Sequence, residues 1–138
     1  MADSGTLPNQ SAIRVLFAGS IGNTVEWFDW TVYGTYAIFF SKQFFPGSAT
    51  AALLSTLLTF ALGFFARPIG GWLIGIYSDR HGRRAALVLT ITMMAAGSLL
   101  IAVIPPYTAI GVFAPILLVL ARLTQGISVG GEVASGSV

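Results

Sequence analysis

Five charged side chains interrupt stretches that are otherwise apolar: Glu26, Asp29, Arg67, Arg122 and Glu132. A charge in lipid is costly and is retained where it pairs, carries a proton or meets a polar substrate. Glu26 and Asp29 are three positions apart, so they share one helix face. Gly19, Gly22, Asn23, Tyr33 and Tyr36 fall on or near the same stripe, a polar, small-residue face suited to a cavity or bundle interior. Arg67 is followed by Pro68 and Gly70-Gly71, which predict a bent, closely packed helix. Arginine stays protonated, so three carboxylates against two arginines leave one carboxylate without a full partner. Such a carboxylate can carry a proton near neutral pH. These residue types point to reversible proton loading at Glu26 or Asp29. Arg67 and Arg122 would trade between a carboxylate and an anionic substrate. The competing reading is a structural knot of ion pairs that only orders the helices.

The elements that must position these charges are apolar helices. The chain of 138 residues is 55% hydrophobic and only 9% charged, whereas a soluble domain carries about 25% charged residues. A spanning helix needs about 20 mostly apolar residues. Four runs qualify: 15–40, ended by Ser41-Lys42 and Pro46-Gly47; 52–77; 85–104, closed by Pro105-Pro106; and 108–138. Residues 1–14 form a polar N-terminal tail. Backbone groups in lipid must bond internally, so the runs are read as helices. The alternating segments of a membrane barrel are absent. The expected fold class is all-α, polytopic in the membrane. The end of the last run, Gly126 to Val138, is rich in Gly, Ser and Ala, stops without a basic anchor and is expected to belong to a longer chain.

Depth can be counted at about 1.5 Å per residue. From the cytoplasmic end at Val15, Glu26 lies ~16 Å deep and Asp29 ~21 Å; from Tyr77, Arg67 lies ~15 Å deep. From the outer end at Thr108, Arg122 lies ~21 Å in, where Asp29 and Glu26 are ~17 and ~21 Å in. Four charges on three helices thus level near the midplane, as pairing would require.

Orientation comes from the densest charge cluster, Gly75 to Arg84, which reads G-I-Y-S-D-R-H-G-R-R. Lys and Arg mark the cytoplasmic side. Arg14, Arg80, Arg83 and Arg84 fall on one side and Lys42 on the other, so the N-terminus and this hinge are expected to be cytoplasmic. The Asn9-Gln10-Ser11 sequon then faces the cytoplasm and is discounted. Tyr36 and Tyr107 suit an outer aromatic belt, while Trp27, Trp30 and Tyr33 could shape a pocket. Gly126, Gly130, Gly131 and the Ala95–Ser98 patch suit close helix packing.

Several function classes find no support in the residues. The net charge of +2, with no basic stripe, gives no reason to expect a nucleic-acid partner. There are no cysteines, no His cluster for a metal, no phosphate-cradling loop and no nucleophile with a paired base. No enzyme activity, cofactor or metal is expected.

The hinge residues Gly75, Asp79, Arg80, Gly82, Arg83 and Arg84, with Leu87, resemble the G-x-L-x-D-R-x-G-R-R-x-x-L signature of the major facilitator superfamily; Tyr77 stands where Leu is usual. Arg122-Leu-Thr-Gln125-Gly126 is similar to that superfamily's R-x-x-Q-G motif. Gly22-Asn23-Thr-Val-Glu26-Trp27-Phe28-Asp29, Arg67-Pro68-Ile-Gly70-Gly71 and Gly130-Gly131-Glu132 together resemble its metabolite:proton symporters. The resemblance covers Arg14 to the end. It implies the first four of twelve helices in two six-helix halves, alternating access and proton coupling in a bacterial inner membrane. It further implies a conformational latch at Gly75, Asp79, Arg80, Gly82, Arg83 and Arg84. Asp79 would sit at the third helix's N-terminus, within reach of Arg83.

The expected function is proton-coupled transport of a small polar metabolite, an organic acid. Glu26 and Asp29 take the proton. Arg67, Arg122, Asn23, Tyr33, Gln125 and Glu132 form the substrate and ion-pair set. The expected partners are substrate, protons, lipid and the remaining helices of the full-length chain. Two alternatives stand beside it: a complete four-helix proton/drug antiporter acting as a dimer, and a non-transporting membrane assembly module.

Overall fold

The computed structural model describes residues 10–136, which fold as five helices: α1 (Gln10–Phe44), α2 (Ala49–His81), α3 (Arg83–Val103), α4 (Tyr107–Ile110) and α5 (Phe113–Gly136). Residues 1–9 of the expected tail and 137–138 of the last run lie outside the described residues.

The helices run past the apolar stretches because a helix ends where the backbone is broken, not where lipid ends. α1 begins at Gln10 rather than Val15 and continues through Ser41-Lys42 to Phe44. It stops before Pro46 and Gly47, whose φ is 128°. Ser48 caps α2, its hydroxyl accepting from the Ala51 amide at 3.3 Å, so this helix starts before Ala52. α2 also runs beyond Tyr77, since nothing in Ser78–His81 breaks it before Gly82, with φ 87° and ψ 154°. That conformation is open almost only to glycine.

The fourth run is not one helix. Gly111, at φ 61°, separates the single turn of α4 from α5. Pro115 falls in the first turn of α5, where its missing N–H costs nothing.

Among the described residues, three helices are long and apolar enough to cross a membrane: α2, α3 and α5 over Phe113–Ala134. α1 has the length, at 35 residues, but its polar stripe lowers its hydropathy below theirs. Three of the hydroxyls on that helix are satisfied locally. Ser20, Thr24 and Thr31 donate to the carbonyls of Leu16, Ser20 and Trp27, each at 2.8 Å, so they do not bar the helix from an apolar setting.

α5 is the centre of the bundle: 44% of its span is buried, against 28% for α2 and 22% for α3. Its glycines set how closely it packs. A side chain at Gly126 would meet the Gly63 carbonyl, and one at Gly130 the backbone of Arg67. From the other side, one at Gly70 would meet the backbone of Ile127. α2 and α5 therefore touch backbone to backbone. On α3, Gly97 is buried against Gln125, while Ala95 and Ala96 are exposed, so only part of the Ala95–Ser98 patch is a packing face. The apolar core gathers Tyr33, Phe44, Ile104, Ala114 and Leu118 from α1, α5 and the α3 C-cap.

Candidate functional site

Three helices each bring one stripe to the same place. On α1, Glu26, Asp29, Trp30 and Tyr33 share a face. On α2, Phe60, Phe64 and Arg67 follow at helical spacing, and on α5, Arg122, Gln125, Gly126 and Val129 do the same. α2 presents Arg67 at the step before Pro68, which lacks the N–H that would otherwise bond to the Phe64 carbonyl.

The charges pair across these stripes. Arg122 Nη1 donates to Asp29 Oδ2 at 2.6 Å, and Arg67 Nη2 to Glu26 Oε1 at 3.2 Å. The levels counted along the sequence thus meet in space. The pairs differ in burial: the Arg122 and Asp29 side chains are 6% and 15% exposed, those of Arg67 and Glu26 27% and 18%. A short, buried, charge-assisted bond is the stronger kind. Gln125 Nε2 adds a second donor to Asp29, reaching Oδ1 at 3.3 Å.

Both guanidiniums also lie over aromatic rings. Arg122 sits 3.7 Å from the Tyr33 ring centroid; Arg67 sits 4.5 Å from that of Trp30 and 4.3 Å from that of Phe64. Desolvated contacts of this type stabilise a cation. Phe60 stacks on Tyr33 at 5.2 Å and meets Trp30 edge-on at 5.6 Å, so the two sites share an aromatic wall. The Tyr33 hydroxyl donates to the Thr56 carbonyl at 3.1 Å. A cavity of about 20 Å³ remains among Asp29, Trp30, Phe64, Arg67, Arg122 and Gln125. That is room for about one water.

The other expected site residues are placed as follows. Glu132 of α5 lies against Gly22 of α1 and close enough to Glu26 for their charges to oppose one another. Asn23 is exposed and takes no part in the ion pairs or hydrogen bonds of the cluster. Trp27 and Tyr36 are also exposed.

The hinge differs from expectation in one respect. Asp79 lies in the last turn of α2, not at the N-terminus of α3, whose first turn holds no acid. The reason is the extension of α2 to His81. Asp79, Arg80, Gly82, Arg83 and Arg84 are exposed and Gly75 is half-buried. Among the described residues Asp79 and Arg83 form no ion pair. The Gly82 amide donates to the Ser78 carbonyl at 2.8 Å and closes the end of α2.

Residue type alone does not point to Phe60, Phe64 or Ser98. For the two phenylalanines a signal exists in their helical spacing ahead of Arg67. For Ser98 there is none, because its role depends on which helix α3 packs against.

Residues 15–137 match the family model described as sugar (and other) transporter. The chain belongs to that family. It is a membrane chain of the major facilitator superfamily, in keeping with the hinge residues. It is 49% identical over 134 residues to an alpha-ketoglutarate permease of Escherichia coli, covering 95% of this chain and 31% of that one. A citrate-proton symporter of Klebsiella pneumoniae is 44% identical, covering 100% and 30%. A proline/betaine transporter of Salmonella typhimurium is 42% identical, covering 91% and 25%. The chain spans between a quarter and a third of the length of these relatives. No solved structure matches it significantly.

Proposed function

We propose that the chain supplies the proton-loading and anion-holding part of a proton-coupled secondary transporter for a small organic acid, working by alternating access as the N-terminal portion of a longer protein. The observation that carries this is the Arg122–Asp29 pair at 2.6 Å. A buried arginine held by a carboxylate that also accepts from an amide is a site where a proton and an anion compete. When Asp29 takes a proton, Arg122 loses its counter-ion and turns to a substrate carboxylate. When substrate leaves, the pair reforms and the proton is released. Arg67 and Glu26 repeat the arrangement in a less buried setting, with the Glu132 charge close to Glu26. Relatives named for alpha-ketoglutarate and citrate-proton symport support the organic-acid class.

In this reading the N-terminus and the Gly75–Arg84 hinge are cytoplasmic. The hinge serves as a latch between conformations: its charges are exposed, and Gly82 turns the chain between α2 and α3. The test is uptake by the full-length protein in proteoliposomes with an imposed pH gradient, acid outside. Accumulation of a di- or tricarboxylate that follows the gradient and is lost in Asp29→Asn supports the reading; uptake indifferent to the gradient rejects it.

A further inference from the structure

We infer that Ser98 is a positioning residue that acts through Gln125 to hold the Asp29 carboxylate toward Arg122. The inference rests on the functional reading above. The Gln125 side chain is buried, the residue being 4% exposed, and its Nε2 makes two bonds, to Ser98 Oγ at 2.9 Å and to Asp29 Oδ1 at 3.3 Å. A carboxylate only accepts, so Asp29 fixes which end of the amide faces it. The amide plane still needs a second anchor, because its last torsion is broad. Ser98 supplies that anchor on the other N–H, with the shorter bond of the two.

The backbone of α3 is shaped for this contact. A Cβ at Gly97 would lie 2.6 Å from Gln125 Cγ, so glycine there lets the glutamine lie flat on α3 and reach the next residue's hydroxyl. Ser128 of the same α5 donates to the Thr90 carbonyl two turns earlier on α3. Two polar ties thus lock the rotation of α5 against α3. α3 brings no charged side chain to Asp29. The titratable and charged groups around Asp29 are Arg122 and Glu132 from α5, Arg67 from α2, and Glu26 and Tyr33 from its own helix. Ser98 therefore acts on this cluster by geometry alone.

The experiment is the pH profile of uptake by the full-length transporter in proteoliposomes. Ser98→Ala lets the amide turn and removes a donor from the charged form of Asp29, so the proton leaves less readily. The pH of half-maximal uptake moves to the alkaline side by roughly half a unit to one unit, as expected for one hydrogen bond. Ser98→Thr, which keeps the hydroxyl, retains the wild-type midpoint. Ser98→Cys, of similar volume but a weak acceptor, falls between and serves if the alanine variant folds poorly. In a Gln125→Leu background Ser98→Ala adds no further shift. A pH-dependent wild type whose midpoint is unmoved in Ser98→Ala, or an equal extra shift in the Gln125→Leu background, overturns the inference alone. A wild type indifferent to pH overturns the functional reading and the inference with it.

Discussion

The Arg122 guanidinium meets the Asp29 carboxylate at 2.6 Å although 93 positions separate them in the chain. Its other flank is covered by the Tyr33 ring, 3.7 Å away. The cation thus rests on one carboxylate and one π face, and removing the carboxylate strands it. Asp29→Ala should cost about 3–5 kcal/mol, the range for leaving one buried charge without its partner. Replacing both partners together, Asp29→Asn with Arg122→Gln, should recover most of that loss while uptake stays absent. Thermal unfolding in detergent measures the first effect and proteoliposome uptake the second. A double variant no more stable than Asp29→Ala would show that the pair is not the source of the loss.

Arg67 should behave differently, because its side chain is 27% exposed where that of Arg122 is 6%. A charge left at this position is less enclosed by these helices, so Glu26→Gln should lower the unfolding temperature less than Asp29→Asn does. Arg67→Lys keeps the charge but cannot lie flat on Trp30 and Phe64. The lost cation–π contact should cost about 0.5–2 kcal/mol. Stability of Arg67→Lys equal to wild type would mean that the aromatic contacts contribute nothing.

Much of this site is legible in the order of the residues. Apolar runs mark the helices, and counting along them puts Glu26 level with Arg67 and sets Glu26, Asp29 and Arg122 within about one turn of each other, without choosing the partner of Arg122. Depth is a one-dimensional quantity, which a sequence carries. The azimuth of each helix and its choice of neighbour are three-dimensional. That is why the aromatic wall of Phe60 and Phe64, the tie from Ser98, and α5 as the partner of α2 become visible only in the fold. The position of Asp79 departs from expectation for a local reason: Ser78–His81 is polar but contains no helix breaker, so α2 leaves the apolar run without ending.

That local geometry has a test of its own. Gly82, at φ 87° and ψ 154°, occupies a region where a side chain costs about 1–3 kcal/mol. Gly82→Ala should destabilise by that amount, whereas Asp79→Asn, exposed and outside any ion pair in this conformation, should leave the unfolding temperature unchanged. If the hinge is a latch, Asp79→Asn will instead change the uptake rate. Loss of both stability and rate in Asp79→Asn would assign the residue a folding role.

The glycines of α5 should separate packing from mere flexibility. Gly126 and Gly130 face the backbone of Gly63 and Arg67, where an added methyl meets no flexible side chain that could move aside. Gly19 has nothing within 4 Å of such a methyl. Gly→Ala in an open helical position removes an entropic penalty and stabilises by roughly 0.5–1 kcal/mol, whereas overpacking costs about 1–3 kcal/mol. Gly19→Ala should therefore be neutral or stabilising, and Gly126→Ala and Gly130→Ala destabilising. The two should also differ from each other in function. Gly130→Ala pushes on the Arg67 backbone and should disturb the Arg67–Glu26 pair, so its uptake should fall further than that of Gly126→Ala at equal stability. Unfolding temperatures of the three variants, set beside their uptake rates, decide the matter; equal, small effects at all three positions would mean that α2 and α5 do not pack backbone to backbone.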